Sequence, residues 1–201
     1  MTSDESLRKQ LLTAAFKMPA VQTPVSRKSS ITNAFVAVVI PVIVPTIEEI
    51  DAALKILEMQ PDDVQCAYCG NKATEWDHLL PLVKNRRPTG YISEIANLVP
   101  ACAKCNQSKG NTDWRAWMRN GKARHSPTGR GLSDVEARIA RLEKYEQART
   151  PTKIDFAEII GTDEWESYWK LCEDIVAEMA RCNEVAVSLR KRIGEALQKP
   201  A

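Results

Sequence analysis

Four cysteines stand as two C-x-x-C pairs, Cys66/Cys69 and Cys102/Cys105, with 32 residues between the pairs. Thiolates at this spacing can share one tetrahedral zinc ion, and two such knuckles complete a closed structural site. A redox role is disfavoured, because there are two pairs and no surrounding βαβ pattern. The enclosed segment carries Asp77-His78 in its first half and Asn97 near its end, and Asn106 directly follows the last cysteine. An imidazole with an ordinary pKa of about 6.5 can take a proton from water near neutral pH. A carboxylate and an amide oxygen are hard donors that suit magnesium rather than zinc. Two different metals are therefore expected, Cys₄ zinc and an oxygen-ligated divalent ion.

The formal net charge is only +2, but its distribution is uneven. Residues 78–130 hold ten Lys/Arg against two Asp/Glu, whereas the flanks are mildly acidic. Such a segment suits a polyphosphate backbone, and a solvated basic loop would give the same count. Arg86, Arg87, Lys104, Arg115 and Arg119 are the candidate backbone contacts, with no base-reading role. Lys109, in N-x-x-K-G, is a candidate for touching phosphate.

The ordered set C-x-x-C, D-H, Asn-Leu-Val and C-x-x-C-N over about residues 64–118 resembles the HNH endonuclease family. The resemblance implies a β-hairpin followed by a helix, the ββα-metal unit, and DNA as substrate, with RNA a close chemical neighbour. It implies that His78 is the general base, that Asp77 and Asn106 hold the catalytic Mg²⁺ (Mn²⁺ as a substitute), and that Asn97 ties the hairpin loop and orients the histidine. Asn106 stands where many members have histidine, the H-N-N variant. Restriction or defence, phage and mobile-element settings all remain open. The rival from another class is a non-catalytic zinc-ribbon module that binds nucleic acid. It accounts for the cysteines and the basic segment but gives Asp77, His78 and Asn106 no purpose.

These side chains need a scaffold, and the periodicities outline an α+β fold, mainly helical around one small hairpin. Three parts are expected: an N-terminal helical and apolar region at 1–63, the zinc-stapled motif at 64–120, and a basic loop with C-terminal helices at 121–201. Residues 4–17 read as a short amphipathic helix with Leu7, Leu11 and Phe16 on one face, and 25–30 as a linker. The apolar run 34–45 is read as buried, with helix and strand both open, and is too short to span a bilayer. Thr46 and Glu49 form a capping-box pattern before a helix at 47–58. Gly70-Asn71 marks a turn, 74–82 a strand, and Leu98-Val99 the start of a second strand.

Adjacent residues on a regular strand point to opposite faces, so Asp77 and His78 can share a site only at a bulge, a strong twist or a strand end. A helix should open at 105–109 and continue through Trp114 and Trp117, three apart and read as core anchors. Another helix, at 134–148, would be capped by Ser133 with Glu136. A long helix at 163–197 keeps apolar residues in steps of three and four, with Cys172 and Cys182 read as core positions in that seam. The seam suits packing within the subunit or a homodimer through this helix. With no membrane-length segment, a soluble cytoplasmic protein is expected.

Overall fold

The capping box before the third helix illustrates how local sequence sets the elements. Thr46 Oγ1 accepts from the Glu49 amide at 3.2 Å while a Glu49 carboxylate oxygen accepts from the Thr46 amide at 2.9 Å. Two of the unpaired donors at the helix start are thereby satisfied. The computed structural model describes residues 3–17 and 19–198. Its helices are α1 (Ser3–Ala15), α2 (Lys28–Ala37), α3 (Ile47–Ile56), α4 (Ala103–Lys109), α5 (Trp114–Met118), α6 (Val135–Arg149), α7 (Phe156–Ile160) and α8 (Thr162–Gln198). Four short strands, β1 (Glu75–His78), β2 (Val83–Lys84), β3 (Arg87–Pro88) and β4 (Leu98–Ala101), make two antiparallel pairs, β1 with β4 and β2 with β3. The fold is α+β.

The chain divides into a larger unit, Ser30–Cys172, and a smaller one, Met1–Ser29 with Glu173–Ala201. In the larger unit, α3, α5 and α6 pack with the cysteine knuckles, Leu79 and Val99 into one core. Trp114 and Trp117 are buried, as their spacing predicts, and their ring N–H groups find Glu146 and Ser108. Such tips need a partner when the ring is buried. Val135, Ile139, Leu142 and Tyr145 form the inner face of α6. A second cluster of the same unit holds Val36, Ile40, Val83, Ile92, Phe156, Trp169 and Cys172.

Several expectations are corrected. Residues 25–30 are not a linker: Thr23 caps a 3-10 turn at Pro24–Arg27 that runs into α2. The run 34–45 begins as the end of α2 and leaves it at a turn before Pro41. Only its Val36 and Ile40 sides are buried, and Val38, Val42, Ile43 and Val44 are exposed. The strand expected over 74–82 is only β1. The segment after it forms the β2–β3 hairpin, turned by Asn85 and Arg86 with φ of 51° and 65°. Two consecutive positive φ values match the twist of a tight hairpin, but Asn-Arg is not its usual signature.

Asp134, not Ser133, stands at the start of α6 without a side-chain cap, and Glu136 turns instead to Arg119. The helix α7, capped by Asp155, was not anticipated. In the smaller unit the apolar residues of α1 are exposed, as are Ile175, Cys182, Leu189 and Ile193 of α8. Cys172 is thus a core residue and Cys182 is not. Among the described residues no helix is long and apolar enough to cross a membrane.

Tyr145 ties α6 to the turn that leads into β4: its hydroxyl lies 2.6 Å from the Ile95 carbonyl and 3.0 Å from that of Leu98. Tyr145→Phe removes this shared donor, leaving the Ile95 carbonyl with only the Leu98 amide, and should lower unfolding free energy by about 1–3 kcal/mol in urea denaturation.

Candidate active site and metal centre

Backbone turns set the first cysteine pair. The amides of Cys69 and Gly70 donate to the Cys66 carbonyl, and Cys66 donates to Asn71 at 2.6 Å. Gly70 sits at φ +75°, and a Cβ there would meet the Arg138 guanidinium at 2.8 Å, so this turn needs glycine. The Ala67 amide donates to Pro100 of β4, and the Thr74 amide to Ala101. Cys102 and Cys105 follow β4 directly, at the start of α4. The β1–β4 pairing thus closes the 32-residue gap.

All four sulfurs lie within 4.8 Å of one another, with Cys69 and Cys102 3.8 Å apart. The edge of a zinc–thiolate tetrahedron with bonds of about 2.3 Å is about 3.8 Å, so the cluster fits zinc. The protonation chemistry agrees. Bonds to Cys66 and Cys69, with burial, push the Cys105 thiol far up, while bonds from Cys105 and Cys66 pull that of Cys69 far down. Only a shared cation lets four packed thiols ionise together. Arg130, whose pKa is raised chiefly by its hydrogen bond to Cys69, faces this anionic cluster.

Strand alternation builds the second site. Glu75 and Asp77, two apart on β1, project toward α4, which follows the second knuckle. The Asp77 carboxylate is buried. It accepts from the Tyr68 hydroxyl at 2.6 Å, and the Lys109 ammonium lies 3.0 and 3.3 Å from its two oxygens. Burial raises the Asp77 pKa, against the opposing pull of Lys109 and Tyr68. The Lys109 ammonium, only 1% exposed, also donates to the carbonyls of His78 (2.8 Å) and Gly110 (3.2 Å).

His78 closes β1. Its Nε2 lies 2.9 Å from Ser93 Oγ, and burial, helped by the Lys109 charge, lowers its pKa to about 4. The imidazole is neutral at physiological pH. Beyond it the strand is replaced by Asn97, which is fully buried. Asn97 Oδ1 accepts from the Leu80 amide at 2.8 Å, Nδ2 donates to Leu80 and Ile92 carbonyls, and its own carbonyl accepts from Leu79. Asn97 therefore ties the loop between β1 and β4. On α4, Asn106 Nδ2 donates to a Glu75 carboxylate oxygen at 2.5 Å.

The structure thus brings Asp77 to Lys109 and Glu75 to Asn106 between β1 and α4, while the His78 ring meets Ser93 and the Asn97 side chain meets Leu80 and Ile92. The strand ends at His78, one of the expected devices, but pairing is regular through Asp77↔Val99 and His78↔Leu98, so the alternative device of a bulge is absent. The two side chains accordingly part, the carboxylate to Lys109 and Tyr68, the ring to Ser93. Carboxylate and amide oxygens are in kind the hard donors that suit a divalent cation; here both Asp77 oxygens are engaged by Lys109, one of them by Tyr68 as well, and the Asn106 amide nitrogen by Glu75.

The basic residues fare differently. Arg86 and Lys104 are exposed. Arg87 pairs with Glu166 and lies over Trp169; Arg115 pairs with Glu143 and Glu146 over the Trp114 ring; Arg119 pairs with Glu136. Acidic residues of 131–201 thereby pair with three of the ten cationic residues of 78–130. Lys109 is corrected as a surface phosphate contact, because the buried Asp77 holds it inside. Glu75, Tyr68 and Ser93 were missed. For Glu75 a signal existed, since it lies two residues before Asp77 on one strand.

Residues 66–112 match the family model described as HNH endonuclease. Over an alignment of 116 residues the chain is 32% identical to the "CRISPR-associated endonuclease Cas9" of Corynebacterium diphtheriae, covering 48% of this chain and 10% of that protein. The chain therefore spans about a tenth of the relative it matches. No solved structure matches it.

Cys102→Ser leaves three thiolates, and bound zinc should fall from about one equivalent toward none, with loss of cooperative unfolding. Atomic absorption and thermal melts would check both. The His78 ring should titrate by NMR with a midpoint of about 4. The unfolded chain takes up that proton first, so this histidine's share of stability is intact above pH 6.5 and is lost as pH falls toward 4. A midpoint of 6 or more would mean an open, solvated ring.

Proposed function

From the HNH endonuclease domain at residues 66–112, we propose that this chain is a metal-dependent endonuclease that hydrolyses phosphodiester bonds in DNA. The observation that carries the reading is a buried imidazole at the end of β1, next in sequence to a carboxylate that turns to the other face toward α4, whose Asn106 amide meets Glu75 of the same strand. We read β1, β4 and α4 as the ββα-metal unit, stapled by zinc on the four cysteines, and assign the activity to residues 64–120.

In this reading His78 is the general base. The reading requires the tautomer in which Nε2–H donates to Ser93 Oγ, 2.9 Å away, so that Nδ1 keeps the lone pair and takes the proton of the attacking water. Asn97 holds the loop that fixes the ring's position. Asp77 and Asn106 would hold a magnesium ion, with manganese as a substitute. That ion supplies charge stabilisation to the phosphate and the departing 3′ oxygen. Lys109 holds the Asp77 carboxylate in place and opposes the rise of its pKa on burial. Of the candidate contacts, the exposed Arg86 and Lys104 would meet the nucleic-acid backbone directly.

Plasmid incubated with Mg²⁺ or Mn²⁺ should be cut by the wild type and spared with EDTA. His78→Ala should cut roughly 10²–10⁴-fold more slowly with zinc content and folding unchanged. Cleavage by His78→Ala at the wild-type rate would remove the base assignment. Binding without cleavage by the wild type in every metal would favour a zinc-ribbon binding module.

A further inference from the structure

Asn106 can serve an oxygen-seeking cation with only one end of its amide. Its terminal torsion is broad and roughly two-fold, so rotation exchanges Oδ1 for Nδ2, which repels a cation. A site that depends on this amide needs something to hold the nitrogen elsewhere. Glu75 has the chemistry for that task. An ionised carboxylate only accepts hydrogen bonds, so an amide packed against it must present its nitrogen. Asn106 Nδ2 lies 2.5 Å from the Glu75 carboxylate, and among the described residues Oδ1 takes no hydrogen bond.

The placement follows from two periodicities. Glu75 and Asp77, two apart, share the face of β1 that looks at α4; Asn106 and Lys109, three apart, share the face of α4 that looks back. They meet as two rungs, Glu75 with Asn106 and Asp77 with Lys109. Both elements are fixed independently of these rungs, β1 by its pairing with β4 and α4 by the cysteines at its start. Among the described residues no other hydrogen bond restrains the Asn106 side-chain amide.

We propose that Glu75 is a positioning residue: its carboxylate anchors the Asn106 amide nitrogen and so presents Asn106 Oδ1 to the catalytic cation. The proposal rests on the reading of Asn106 as a ligand of that ion. It differs from a role for Glu75 as a direct ligand or a plain electrostatic attractor, and the three roles separate when Asn106 is changed. An aspartate at 106 offers oxygen at both ends and needs no orientation.

The test is Mn²⁺ binding to the zinc-loaded protein, followed by electron paramagnetic resonance without nucleic acid. Glu75→Ala should weaken Mn²⁺ binding by roughly 10–100-fold, as expected for loss of an orienting partner. Glu75→Gln, whose amide oxygen can still accept from Asn106, should stay within about threefold of the wild type. In a chain already carrying Asn106→Asp, Glu75→Ala should cause no weakening. In amide-resolved NMR the Asn106 side-chain protons should shift to solvent-like positions in Glu75→Ala and hold in Glu75→Gln. Equal weakening by Glu75→Ala in both backgrounds would overturn the proposal in favour of a direct or electrostatic role. Wild-type Mn²⁺ binding by Glu75→Ala would overturn it outright. Wild-type binding by Asn106→Ala would instead remove the underlying ligand reading, an outcome distinct from the other two.

Discussion

A lysine ammonium is stable inside a protein only where anions and carbonyls replace its hydration shell. Lys109 meets that demand with Asp77, the His78 carbonyl and the Gly110 carbonyl, and in doing so joins the end of β1 to the end of α4. Each of its partners belongs to the candidate site or adjoins it. Burial raises the pKa of the carboxylate, and the ammonium opposes that rise. Burial, with the same charge second, lowers the pKa of the neighbouring imidazole. One buried cation thus acts on the titration of both residues at the end of β1.

The zinc knuckles and Asn97 do the complementary work of holding the backbone. Neither β1 nor β4 is long enough to be stable alone, at four residues each. Their pairing is fastened at one end by four clustered sulfurs and at the other by a buried asparagine that completes the bonds of Leu79 and Leu80. The core under α3, α5 and α6 then supplies the apolar burial so small a hairpin lacks. The arrangement explains why the motif residues are not a free-standing ribbon. Their cysteines, Leu79 and Val99 are packed among side chains from Ala53 through Tyr145.

The basic segment carries a lesson about charge counts. Ten cationic residues in 78–130 suggest an open electropositive face, yet Arg87, Arg115 and Arg119 meet glutamates from the region that follows. Guanidinium groups stack on Trp169 and Trp114 as well. Pairing of this kind is set by which helices pack together, and a linear count has no access to it. Lys109 is the extreme case, a cation that serves the interior.

The sequence by itself determined the local chemistry. Two C-x-x-C pairs specify a tetrahedral thiolate set, Thr46 with Glu49 specifies a helix start, and the 3- and 4-residue steps specify the inner faces of α5 and α6. These are short-range consequences of residue type and spacing, and the ordered D-H…N…C-x-x-C-N set belongs with them. Only the tertiary structure decided where the polar groups of the site turn. Strand alternation puts Glu75 on the Asp77 side and the His78 ring on the Ser93 side, but which lysine meets which carboxylate depends on how α4 packs across β1. The exposure of Val42, Val44 and the α8 seam was likewise beyond periodicity, which marks an apolar face without saying what covers it. Burial and pairing are properties of packed elements, so a pattern of residue types could propose the site's members but not their partners.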